Sequence, residues 1–247
     1  MALIQSMEKE GNLLFKYRGQ FPLLLFILSV PFIYLTDYNS ISIELQTYYL
    51  YLAITLSTLG LLVRFYTIGT TPEGTSGRNT NEQIASVLNS TGMYSMLRHP
   101  LYLGNYLIWL GISVATFNSC FILIMSLLFW LYYERIMFAE ERFLERRFSD
   151  DFLDWSNTLP AFIPSLFSFK KSDMSFSIIT VLRREYAGVL ATVIGFTFVE
   201  LFRNYFTNKL WSISTISLQV VIATLFLVFV LRSLKHYTKI LNEDGRS

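Results

Sequence analysis

Apolar residues run along this chain in blocks rather than in stripes, and the blocks have the length of bilayer crossings. Six stand out: Phe21 to Leu35, Tyr48 to Ile68, Leu101 to Phe117, Cys120 to Tyr133, Tyr186 to Leu201, and Ile213 to Leu231. A hydrocarbon core takes about 20 apolar residues as a helix, and shorter runs serve when they are tilted or flanked by snorkelling side chains. The first and fourth blocks are short, and the fourth lengthens only by taking in Glu134 and Arg135. Asn118 and Ser119 join the third and fourth so tightly that these two helices must be antiparallel neighbours. The pattern predicts an all-α, polytopic membrane bundle of about six transmembrane helices.

Between Glu134 and Leu159 the pattern changes. Leu144, Phe148, Phe152, Trp155 and Leu159 recur at helical spacing, with Glu141, Arg142, Glu145, Arg146, Arg147, Asp150, Asp151 and Asp154 on the remaining faces. This predicts an amphipathic helix, or a pair, lying against a membrane surface and ended by Pro160 and Pro164. Lys170, Lys171, Arg183 and Arg184 bracket a polar linker, after which the last two helices carry no motif. Three regions follow: 1–70 with the first spans, 71–169 as a chemical core, and 170–247 as a closing hairpin with a polar tail.

Composition agrees with a membrane protein: 53% of residues are hydrophobic and only 15% charged, where soluble domains carry about a quarter. The first block is followed by Asp37 and Tyr38 rather than a cleavage site, and is read as a retained helix. Lys and Arg count 18 on one set of connections and 2 (Arg203 and Lys209) on the other. By the positive-inside tendency both termini and the polar core face the cytoplasm. A formal charge of +2 gives no nucleic-acid footprint, and the single Cys120 permits neither an internal disulfide nor a zinc cluster. No metal site is expected. Arg64 and Glu200, at span edges, are read as snorkelling.

Candidate chemistry concentrates at two places that the hairpin brings to one membrane face. The first is Arg98, His99, Pro100, Leu101, Tyr102, Leu103, Gly104, where a polar segment enters a helix. Pro at a helix start is ordinary, but the free amides there, with Arg98 and His99, favour an anionic group. Tyr94 and Tyr102 offer flat surfaces for a heterocycle, and Gly104 permits close approach of a backbone or ligand. Gly111, seven residues on, is read as helix packing. The second place is Arg135 with the adjacent carboxylates Glu140 and Glu141, which call for a cation nearby. Arg78 and Asn79 belong to a polar loop able to fold over a ligand.

The order RHPLYLGN, a hairpin, then ERIMFAEERFLERRFSDDF and LPAFIP resembles the isoprenylcysteine carboxyl methyltransferase and phospholipid methyltransferase family of integral-membrane enzymes, from about Thr71 to Pro164. The loop GRNT and the segment LNSTGMYSMLRHP are closest to bacterial members, including those similar to lipid A phosphate methyltransferases. Ser149 stands where the family has the Gly of an FG pair. The resemblance implies S-adenosylmethionine as cofactor, held by Asn79, Tyr94, His99, Pro100, Leu101, Tyr102, Gly104, Glu140 and Glu141, with Arg135 and Glu140 catalytic. It implies a membrane lipid or lipidated substrate met by Arg78, Arg98 and Arg135, and placement in a bacterial inner membrane. Because Arg suits carboxylates and phosphates, O-methylation is expected. N-methylation of a phospholipid amine and a non-catalytic scaffold are the alternatives. A transporter is disfavoured by the absence of paired intramembrane charges or interrupted helices.

Overall fold

The structure, a computed structural model, describes residues 2–75, 83 and 85–246. It is all-helical among these residues: α1 Leu3–Lys16, α2 Phe21–Leu35, α3 Ile43–Gly69, α4 Pro100–Val114, α5 Ser119–Phe148, α6 Asp150–Asn157, α7 Ile178–Asn208 and α8 Thr215–Tyr237. Four of them (α3, α5, α7, α8) are long and apolar enough to cross a membrane, while Leu23–Leu35 and Pro100–Val114 are shorter apolar helices. The chain is a helical membrane bundle.

Helix starts follow from local chemistry. Ser42, Asn118, Ser177 and Ser214 each accept a backbone N–H three residues on, and so cap α3, α5, α7 and α8. The α4–α5 hairpin turns through Phe117, which takes a positive φ of 58°. α3 and α4 form the most extensive helix pair and run antiparallel. Gly60 and Gly104 let them touch: a Cβ on Gly60 would lie 2.6 Å from the Gly104 carbonyl, and one on Gly111 would lie 2.4 Å from the Ala53 carbonyl. Small residues at such crossings are how membrane helices gain contact where burial from water cannot drive them together. Gly104 is therefore a packing residue, in contact with the Arg64 stem rather than open to a ligand.

Three elements depart from expectation. α1 was not read from the sequence. It lies antiparallel on the polar half of α5, with Gly11 against the Arg135 carbonyl and Ala139, Tyr132 donating to the Leu14 carbonyl, and Arg146 paired with Glu8 at 2.6 Å. α5 does not stop at Tyr133 but runs unbroken to Phe148, so Glu134 to Phe148 continues a span. Ser149, with φ 47° and ψ −117°, breaks it before α6. α7 begins eight residues before the expected Tyr186, which makes Arg183, Arg184 and Glu185 helical rather than linker.

Beyond α8 the polar tail folds back. Arg246 donates to the Gly69 carbonyl at the end of α3 and to Ser175, while Glu243 accepts from Ser177 and Thr180 at the start of α7. A cation at a helix C-terminus and an anion at an N-terminus both complement the helix dipoles. The tail thus ties together the ends of the two helices that carry Arg64 and Glu185.

Candidate functional site

A cavity of about 440 Å³ opens at the end of the bundle where α3 finishes and α4 begins. Its walls come from the α1–α2 corner (Phe15, Arg18, Gly19), α3 (Arg64, Ile68), the start of α4, the polar half of α5, and α7 (Arg184, Glu185, Gly188). The volume lies within the range of about 300–1,000 Å³ usual for small-molecule sites.

The α4 entry is fixed by main-chain pairing. Arg98 and His99 donate their amides to the carbonyls of Pro160 and Ala161, and Ser165 donates to Met96. The proline-rich closure thereby holds the start of α4 in place. His99 is buried between two carboxylates, with Nε2 2.8 Å from Glu141 and Nδ1 3.6 Å from Glu140. Arg98 donates to the other Glu141 oxygen at 3.1 Å, and the Tyr102 hydroxyl donates to Glu140 at 2.7 Å. The His99 and Tyr102 rings stack at 5.7 Å. Burial alone would push the imidazole pKa down, yet hydrogen bonds and charge from Glu140 and Glu141 outweigh it and hold it above its ordinary value. Burial, then the charge of Glu140, pushes the Tyr94 phenol up, so that ring stays neutral.

A second network continues from there. Asn105 donates to the Tyr133 hydroxyl at 3.3 Å and accepts from Arg64 at 2.6 Å. Arg64 in turn grips Glu185 with two bonds, at 2.7 and 2.9 Å. The Glu185 side chain is 5% exposed and that of Arg64 19%. Arg64 does not snorkel: it reaches inward to a partner on a distant helix. Glu200, by contrast, accepts from the Ser214 amide at 2.8 Å and from the Ser217 hydroxyl, at the start of α8.

Of the expected site residues, Tyr94, Arg98, His99, Pro100, Leu101, Tyr102 and Glu140 line the cavity together. Glu141 stands behind them as the partner of His99 and Arg98. Gly104 is turned to α3, as described. Arg135 lies away from the cavity, at 3.5 Å from Glu10 of α1 and 4.0 Å from Glu134, because its helical position faces α1. The expectation that Arg135 borders the reaction is not met by this placement. Arg78 and Asn79 lie outside the described residues. Arg18, Arg64, Asn105, Tyr133, Arg184, Glu185 and Gly188 were missed. The spacing of Arg184, Glu185 and Gly188, one face of a helix, was the available signal. Among the described residues no group of three His, Cys, Asp or Glu is arranged to hold a metal ion.

Fold and cavity define a class: a polytopic helical membrane protein with a cavity lined by charged residues at one end. Residues 48–151, from α3 into α6, match the model of the phospholipid methyltransferase family, so the expected resemblance is shown over that core. The chain is 36% identical over 95 residues to the nickel-cobalt-cadmium resistance protein NccN of Alcaligenes xylosoxydans xylosoxydans, covering 38% of this chain and 42% of that protein. It is 29% identical over 85 residues to a protein-S-isoprenylcysteine O-methyltransferase of Saccharomyces cerevisiae, covering 34% and 36%. The match thus spans about two fifths of these relatives' lengths. No solved structure matches the chain.

Proposed function

We propose that the protein is a membrane methyltransferase that uses S-adenosylmethionine and O-methylates the oxyanion of a membrane-embedded acceptor, a lipid phosphate or a prenylcysteine-type carboxylate. The observation that carries the reading is His99 clasped by Glu140 and Glu141 beside Tyr102, inside the cavity of the family-matched core. The residues fit the cofactor. The cavity offers aromatic faces, the Glu140 carboxylate for ammonium or ribose hydroxyls, and cationic groups at a helix start for a carboxylate. When bound, S-adenosylmethionine supplies an electrophilic methyl group on a sulfonium, which is transferred by in-line displacement.

This chain's own residues have three tasks. His99, Tyr102 and Glu140 bind and orient, with Glu141 and Arg98 locking His99 in place. Phe15, Ile68, Phe143 and Leu144 exclude water from the reacting atoms. Arg64, held in one orientation by Glu185 and Asn105, takes the place first given to Arg135 beside the acceptor oxyanion. Four arginines face two glutamates in the described lining, which suits an acceptor already ionised at neutral pH. An amine acceptor arrives at neutral pH as an ammonium, which those cations repel, and this favours O- over N-methylation.

The charge asymmetry of the connections supports a cytoplasmic cavity and cytoplasmic termini, and the likeness of the GRNT and LNSTGMYSMLRHP segments to bacterial members supports a bacterial inner membrane. Single cysteines at positions 39 and 119 should resist, and those at 86 and 172 accept, a cytoplasmically applied impermeant thiol reagent in a Cys120→Ser background. The main test is calorimetric titration of the protein in lipid nanodiscs with S-adenosylmethionine and its demethylated product. Binding is expected, and is weakened at least tenfold (about 1.4 kcal/mol) in His99→Ala and Tyr102→Ala. Folded protein that binds neither ligand would end the methyltransferase reading.

A further inference from the structure

Glycine inside a helix is unfavourable relative to alanine, so each helical glycine needs a reason. For Gly11, Gly60, Gly69, Gly104, Gly111 and Gly195 the reason is contact: an added Cβ would lie under 3.0 Å from a neighbouring atom. Gly188 differs. A Cβ there would meet only a Glu185 carboxylate oxygen, at an ordinary 3.5 Å, and otherwise open space. That space is the cavity, whose wall Gly188 forms together with Arg184 and Glu185 on the same face of α7. Since α7 starts at the polar end of the bundle, Gly188 lies one turn deeper than Arg184, on the way from the charged rim to the apolar interior.

We propose that Gly188 is a specificity-determining residue: its missing side chain keeps room for the stem that joins the acceptor's oxyanion to its lipid tail. The inference rests on the methyltransferase reading above and assigns a part of the cavity that reading leaves open. The cofactor contacts proposed there come from α4 and α5 (His99, Tyr102, Glu140), on a different wall. An occupant beside Gly188 therefore has its charged group level with Arg64 and Arg184 and its apolar part pointing down α7. A lipid acceptor has that order of parts. α7 lies beyond the family-matched residues 48–151, so this wall is also where the chain is free to set its own substrate.

The test is a size series at one position. Gly188→Ala and Gly188→Leu are assayed in nanodiscs with labelled S-adenosylmethionine. The acceptors are N-acetyl-S-farnesylcysteine for a carboxylate, dioleoyl phosphatidic acid for a phosphate, and a total lipid extract of the host membrane. Gly188→Ala is expected to keep the parent's acceptor KM within about threefold, and Gly188→Leu to raise it by about tenfold or more, as added methylenes do in a filled pocket. Cofactor affinity stays at the parent value in both. Gly188→Cys in a Cys120→Ser background, folded first and then capped with a small or a bulky thiol reagent, repeats the comparison independently of folding. An unchanged acceptor KM in Gly188→Leu and in the bulky adduct would overturn the inference and leave the methyltransferase reading standing. An equal loss of cofactor affinity would overturn it by assigning Gly188 to the cofactor. A parent protein that binds S-adenosylmethionine yet methylates none of the three acceptors overturns it as well. Failure to bind S-adenosylmethionine at all would instead remove the reading beneath it.

Discussion

Glu185→Gln is the sharpest perturbation of the site's frame. In the folded protein Glu185 receives two charge-assisted bonds from Arg64, at 2.7 and 2.9 Å, on a side chain 5% exposed. Glutamine keeps the shape and one acceptor, but turns an amide group toward the guanidinium and leaves a buried cation without its counter-charge. Removing one partner of a buried pair costs about 3–5 kcal/mol. The lower end applies, because Arg64 keeps Asn105 and about a fifth of its side chain remains accessible. For a chain of this size about 3 kcal/mol corresponds to a fall in melting temperature of about 6–12 °C. Equilibrium unfolding in mixed micelles, with thermal melts in nanodiscs, measures it. Replacing both partners, as in Arg64→Leu with Glu185→Leu, should recover most of the loss, because two apolar side chains leave no unpaired charge. The same double variant should transfer no methyl groups. A loss below about 1 kcal/mol in Glu185→Gln, or a double variant as unstable as the two single losses added together, would refute the argument that this pair is desolvated and mutually dependent.

The remaining expectations are smaller. Ser149→Gly should stabilise the protein by about 1 kcal/mol in the same unfolding assay, because φ 47° with ψ −117° strains a residue that carries a Cβ. The hydrogen bond from Ser177, opposed by burial and helped by Thr180 and the charge of Arg246, holds the Glu243 carboxyl below its ordinary pKa. A depressed carboxylate pKa contributes stability that is present above the unfolded value and lost as pH falls through the folded one. Melts taken below about pH 4.5 should therefore fall more steeply for the parent than for Glu243→Gln. Arg135→Lys should keep at least about half of the parent's methyl transfer, because a lysine can also meet Glu10 at a partly exposed surface. Radiolabel transfer to the lipid fraction decides this, and a loss of about a hundredfold would return Arg135 to the reaction.

What the sequence determined by itself was local. Blocks of apolar residues define spans because the bilayer sets a length and demands internally satisfied backbone, a condition each segment meets alone. The cluster Arg98 to Tyr102 and the pair Glu140, Glu141 were legible for the same reason, being short runs whose composition has no bland explanation when taken together. The tertiary structure decided which faces meet. That Arg64 grips Glu185, 121 residues away, could not be read from two charges at the edges of two spans, since each alone is equally well satisfied by water. Arg135 shows the converse: its neighbours in sequence suggested a site, but the turn of α5 aims it at α1, an amphipathic helix whose partner is invisible until it is packed. Gly188 shares a helix face with Arg184 and Glu185, but the reason for a glycine there was not legible in the sequence either. A glycine in a helix reads the same whether a neighbouring backbone or an open cavity requires it, and only the position of every other atom separates the two.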